Sequence, residues 1–185
     1  AQGRIRSYYT YGVEPRLLAK HRLFGIDNEF QAGVRAHYEM QDRIQQNGTA
    51  PTARTGTIVE NQERDVDAYS LFAQNRFMLG QFTLTPGMRV EYVENSRQNN
   101  LGGTTGDDDI AEVIPGFGVT YNPIGTVTFF GGVHRGFAPP RVEDLIVTPN
   151  GGAAATFTEV DAEKSWNAEV GVRSDLRPGA HVEAT

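Results

Sequence analysis

Between Phe24 and Gln41 the chain alternates apolar and polar residues for eighteen positions. The even positions are Phe24, Ile26, Asn28, Phe30, Ala32, Val34, Ala36, Tyr38 and Met40, and only Asn28 is not apolar. The odd positions carry Gly25, Asp27, Glu29, Gln31, Gly33, Arg35, His37, Glu39 and Gln41. A helix would set Phe24 and Ile26 about 200° apart and scatter this pattern, so the period of two predicts a strand. Soluble strands usually run about five or six residues. A strand this long, with charges all along one side, needs a wet interior or a solvent face to hold them.

The same pattern, with breaks, predicts seven further strands. Arg4 to Gly12 alternates weakly, and a short connection around Glu14-Pro15-Arg16 ends near His21. After Gln41 a polar loop runs from Gln45 to Glu63, followed by a strand from Asp65 to Leu79. A tight turn at Gly80-Gln81 leads into Phe82 to Gln98, where Pro86 predicts a bulge or a late start to pairing. A second polar loop, Asn99 to Asp109, precedes a strand at Ala111 to Tyr121 and a turn at Asn122-Pro123. The next strand climbs through Val127, Phe129 and Val133 and breaks at Ala138-Pro139-Pro140, where two backbone donors are missing. A third long loop, Phe137 to Ala162, leads to a strand at Glu163 to Ser174, a turn at Arg177-Pro178-Gly179 and a last strand through Val182.

Connections therefore alternate short and long. Strands that cross a bilayer between tight turns and larger outer loops do this, whereas Greek-key crossings of a soluble sandwich do not. Phe82 and Tyr92 share a face ten residues apart. That is roughly 33 Å of strand, or about 25 Å of height once tilted, which matches the apolar band of a membrane barrel. Phe77, Phe82, Tyr121 and Phe129 would form an aromatic girdle at the short-turn rim, and Tyr69, Tyr92 and Trp166 one at the long-loop rim. The fold class expected is all-β: an antiparallel up-and-down transmembrane β-barrel.

Composition changes this picture little. Hydrophobic content is 38%, glycine is abundant at 21, and no apolar run approaches the length of a membrane helix. A net charge of −6 speaks against nucleic acid, and the absence of cysteine excludes a disulfide scaffold and a thiolate metal site. Ser165 and Ser174 have no identifiable His/Asp partners, and neither a nucleophile elbow nor a metal-spaced His pair occurs, so no catalytic residues are expected.

Gly132 to Leu145, G-V-H-R-G-F-A-P-P-R-V-E-D-L, resembles the rise into an extracellular loop of TonB-dependent outer-membrane receptors. The fit is nearest to the ferric dicitrate branch. Glu163 to Arg173 is similar to the next descending strand of that family, and Thr83 to Glu91 and Gly12 to Leu17 fit it as well. The resemblance implies a Gram-negative outer-membrane receptor that binds a ferric chelate and imports it, driven by the TonB complex acting through a plug. No plug is recognisable, and residues 1–185 read as about eight of roughly 22 strands. No cofactor is implied beyond the transported iron chelate.

On that reading His134, Arg135 and Arg141 lie near the mouth, where arginine suits a carboxylate-rich chelate. Arg135 has the outward parity and counts only if its strand is bulged or already above the apolar band. Arg54 and Arg64, in or beside the first long loop, are further ligand candidates. A Gly-apolar-Arg triplet recurs at 33–35, 87–89 and 171–173. It would leave space for arginine to meet a plug or an anionic ligand; the simpler alternative is paired lumen charges, Arg35 with Glu39 and Arg89 with Glu91. Arg35, His37, Glu39, Arg89, Glu91 and Arg173 are expected to face the lumen. Asp107-Asp108-Asp109 reads as a solvated loop more readily than as a cation site. A passive eight-stranded barrel, an outer-membrane enzyme and a soluble sandwich are the competing readings.

Overall fold

The computed structural model describes residues 1–140, 146–147, 156–157, 161–177 and 180–185. Their strands are β1 (Gln2–Val13), β2 (Arg16–Leu23), β3 (Ile26–Asn47), β4 (Thr57–Leu79), β5 (Phe82–Asn99), β6 (Thr104–Ile124), β7 (Val127–Ala138), β8 (Ile146–Val147), β9 (Thr156–Phe157), β10 (Glu163–Arg177) and β11 (Ala180–Ala184). Nine form one antiparallel sheet in the order β1-β3-β4-β5-β6-β7-β10-β11, with β2 also on β3, while β8 and β9 pair with each other. Among the described residues β11 does not pair back to β1, so the sheet is open and no eight-stranded barrel closes.

Among the described residues there is no compact core. Val93 is the only apolar residue buried among those described, while Val34, Leu71 and Met88 are half exposed. Almost all the buried side chains, Gln62, Arg64, Ser70, Val93, Asn95 and Arg97, have the polar-face parity. Side chains crowd on the inside of a curve and splay on its outside, so the polar face is the concave one. An apolar convex face and a polar concave face are the two surfaces of a barrel wall in lipid.

Several boundaries differ from the sequence expectation. The supposed connection after Pro15 is β2, which continues β1 end to end along the same edge of β3: β1 takes Ala36 to Asn47, and β2 takes Ile26 to Gly33. Pro15 interrupts the ladder, but its carbonyl still accepts from Val34 N at 3.3 Å. Phe24 belongs to the turn and not to the strand: Phe24 and Gly25 have φ of 52° and 78°, as in a type I′ hairpin. The long connections shrink to 48–56 and 100–103, because β4 and β6 begin as ordered strands through the expected loops. Asp107, Asp108 and Asp109 are therefore ladder residues opposite Ser96, Asn95 and Glu94. Pro86 makes neither a bulge nor a late start. Pairing begins at Leu79–Phe82, lapses beside Pro86 and resumes at Gln74–Gly87 with unchanged register. The β6–β7 hairpin turns three residues later than expected, at Gly125-Thr126, after a bulge between Tyr121 and Ile124.

The polar face as candidate functional site

Residues directly opposite in an antiparallel ladder share a face, so the register decides which charges meet. Arg35 lies opposite Ser70, Ser70 opposite Glu91 and Glu91 opposite Glu112. Arg89, His37, Glu39 and Arg173 occupy positions of this same face. Arg89 pairs with Glu91 and donates to Ser70 Oγ at 2.9 Å, and Ser70 donates on to Glu91. Arg35 does not reach Glu39 directly. Its guanidinium donates to His37 Nδ1 at 3.3 Å, His37 Nε2 meets Glu39 at 2.8 Å, and the other side of Arg35 faces Glu14 at 3.9 Å.

Of the Gly-apolar-Arg triplets, 87–89 has the paired charge anticipated, Arg89 with Glu91, while the glycines of the other two have a use not anticipated. A Cβ on Gly33 would lie 2.6 Å from the far carbon of the Phe72 ring, and one on Gly171 would strike the Phe130 ring. Each phenylalanine thus covers bare backbone on the neighbouring strand. An arginine stacks on each ring: Arg16 stands 5.9 Å from the Phe72 centroid and Arg173 5.4 Å from that of Phe130. Between the two rings the polar face is bare. Gly87 lies opposite Gly116, and Gly118 opposite Gly132. They floor an open hollow of about 560 Å³ whose rim includes Arg89, His134 and Glu169.

The predicted ligand residues do not converge. His134 lines this hollow, Arg64 lies on the same face far above it, and Arg54 is exposed in the 48–56 connection. Arg141 is outside the described residues. Arg135 has the outward parity, yet its guanidinium turns to β6, meeting Glu112 at 3.4 Å and donating to the Val113 carbonyl at 3.2 Å. Glu112 also pairs with Lys164. Here the wall is split: among the described residues β6 and β7 share no ladder pair beyond Gly116–His134. The side chains bridge the seam that the backbones leave open.

Above mid-wall the two faces carry opposite charge. The polar face presents Arg4, Arg6, Arg43, Arg64 and Arg97, with Glu60 bound to Arg43 at 2.9 Å and Asp108 beside Asn95. Arg64 and Arg97 stand directly opposite each other and are 5% and 8% exposed. The convex face of the same strands carries Asp42, Glu63, Asp65, Asp67, Glu94, Asp107 and Asp109. Asp65 is held above the ordinary carboxylate range, by partial burial first and then by Asp67, Glu63 and Asp42.

Just below these carboxylates runs a lateral row of tyrosines, with ring centroids 5.1 Å apart for Tyr11–Tyr38, 5.9 Å for Tyr38–Tyr69 and 6.5 Å for Tyr69–Tyr92. Tyr11 and Tyr38 join it only through the register, which sequence reading did not supply. At the short-turn end Phe82 stacks on Tyr121 at 4.5 Å, and Tyr121 lies 6.3 Å from Phe129. Phe77 and Trp166 lie on the same convex face as these rows. Two aromatic rows bounding an apolar band are the marks of a wall set in a bilayer.

The family model for the TonB dependent receptor-like β-barrel matches residues 2–184. The chain belongs to that family. TonB-dependent receptor barrels are Gram-negative outer-membrane proteins, and this is a receptor fold, not an enzyme. The solved ferric citrate transporter FecA, unliganded, superposes with a TM-score of 0.80 at 20% identity over 95% of this chain. The alcaligin outer-membrane receptor FauA from Bordetella pertussis gives 0.75 at 15% identity over 98%, and the ferric yersiniabactin uptake receptor FyuA from Yersinia pestis 0.68 at 17% over 95%. This chain spans 26%, 29% and 27% of those three, so it corresponds to about a quarter of such a receptor.

Proposed function

We propose that the protein containing this segment binds an anionic ferric chelate at its outer mouth and imports it with energy from the TonB complex. The observation that carries this reading is the charge partition above mid-wall, with arginines inside and carboxylates outside on the same strands. Such a field repels anions from the skin and draws them to the lumen, even though the chain as a whole carries −6. Arginine suits the task because its planar fork meets carboxylates in pairs of charge-assisted bonds. Receptors for ferric citrate, ferric yersiniabactin and ferric catecholate share this fold, which supports an iron chelate as cargo; a copper transporter shares it too, so the cargo rests on the charges. Arg54, Arg64 and His134 are the proposed contacts, with Arg141, outside the described residues, a further candidate, while Arg135 serves the wall.

The test uses the full-length receptor in cells stripped of their own iron receptors, supplied with radioiron citrate and other anionic chelates. Uptake of at least one chelate is expected, and it should stop in cells without TonB. Exchanging the exposed Arg54 for Gln should weaken binding about ten- to a hundredfold, from a charged hydrogen bond worth roughly 1.5–3 kcal/mol. Uptake that persists without TonB, or no uptake of any anionic ferric chelate, would contradict the proposal.

A further inference from the structure

The split between β6 and β7 begins inside the height of the apolar band. Their ladder stops at Gly116–His134, and the next residue of β6, Pro115, has no N–H with which to continue it. From this foot the split rises past Val113 to Ala111, which stand opposite Val90 and Tyr92 and so reach the upper tyrosine row. Because β6 and β7 are arms of one hairpin, strands elsewhere in a full receptor do not come between them. Val113 and Ala111 form one lip and Phe137 the other, with Trp166 behind it, 67% exposed. Among the described residues each contact across the split comes from a side chain of β7 or β10. Arg135 reaches the Val113 carbonyl and Glu112, and Lys164 reaches Glu112. On the polar side the hollow of about 560 Å³ extends to the foot of the split, where Ile114, Pro115 and His134 line it.

We infer that the split admits the acyl tail of an amphiphilic ferric chelate, whose anionic head stays in the lumen while its tail lies in the bilayer. The inference rests on the proposed function and narrows its cargo. Head and tail need different solvents, and here the wall brings both within one molecule's reach. The hollow gives the head room on the wet side, and Val113, Phe137 and Trp166 meet the tail on the oily one. A tail drawn whole into a watery lumen would lose about fourfold in affinity for each CH₂ taken from hydrocarbon. Passing it through the wall avoids that loss. The lips part when Arg135 and Lys164 swing off Glu112. No ladder hydrogen bond breaks, because none joins β6 to β7 at this height among the described residues. The tail needs hydrocarbon outside the wall and no particular lipid headgroup.

The experiment takes the full-length receptor in cells stripped of their own iron receptors and supplies two citrate-based ferric chelates, alike except for one lauroyl tail. Wild type should import the tailed chelate at least as fast as the plain one. Ala111→Trp crowds the lips with a residue suited to the aromatic row, and should cut uptake of the tailed chelate on the order of tenfold while sparing the plain one. Val113→Cys with Phe137→Cys, placed across the split, should do the same when oxidised and recover when reduced. Undiminished uptake of the tailed chelate by both closed variants overturns the inference. So does an equal loss of both chelates, since the tail would then play no part. Uptake of the plain chelate alone by wild type overturns it and leaves the proposed function standing; uptake of neither overturns both.

Discussion

The ring of Phe72 lies over the backbone of Gly33, one strand away, at a place where a Cβ would come within 2.6 Å of it. The Pro15 carbonyl would be only 2.9 Å from that same Cβ, so a clash with backbone remains even if the ring turns aside. Gly171 repeats the arrangement with Phe130 and the Ala184 carbonyl. Gly33→Ala and Gly171→Ala should each destabilise the full-length barrel by about 1–3 kcal/mol, as overpacking does. Gly118→Ala is the control, since its Cβ meets nothing closer than 3.9 Å. Urea unfolding in lipid vesicles measures all three.

Arg135 should behave as a wall residue. Its substitution by Ala leaves the Val113 carbonyl without the side-chain donor and Glu112 with Lys164 alone. Hydrogen exchange should rise in β6 above Gly116 and in the upper part of β7, with little change in β3 or β4. Stability should fall by roughly 0.5–1.5 kcal/mol, the net worth of an ordinary hydrogen bond.

The two faces should differ sharply in what they tolerate. Val90→Arg places a charge in the apolar band between Leu71 and Val113. It should cost roughly 2–4 kcal/mol near mid-bilayer and impede outer-membrane assembly. Thr120→Arg, on the concave face opposite Thr83, should assemble nearly as well as wild type in a heat-modifiability assay.

Asp65 gives a pH dependence. Its folded pKa is raised, so the folded state holds this proton to a higher pH than the unfolded chain does. Stability of the extramembrane strands should therefore rise as pH falls through that raised value and be lowest above it, where Asp65 joins the charges of Asp67, Glu63 and Asp42. Asp65→Asn should flatten this response between the free-carboxylate range and neutrality, as read by hydrogen exchange across 57–67.

Within the bilayer the wall was legible from the sequence because its two faces meet different solvents. Ile26 to Met40 and Phe82 to Tyr92 announce themselves by period two. Above the bilayer both faces meet water, the contrast disappears, and the first residues of β4 and β6 read as loops although their backbones are laddered to β3 and β5 respectively. Strand β2 was missed because Pro15 breaks the ladder and Leu18 occupies a polar-face position. The site depended on register, which no single strand contains. The Gly33–Phe72 contact, the Arg64–Arg97 pair and the tyrosine row are all cross-strand relations, and only the ladder brings their members together.

The central claim is that the apolar face meets lipid and the polar face does not. A fluorescent label on a single cysteine at Val90 or at Gly118 in the full-length receptor, reconstituted with brominated lipids, tests it directly. Strong quenching at position 90 and little at 118 is the expected result; equal quenching, or the reverse order, would contradict the account.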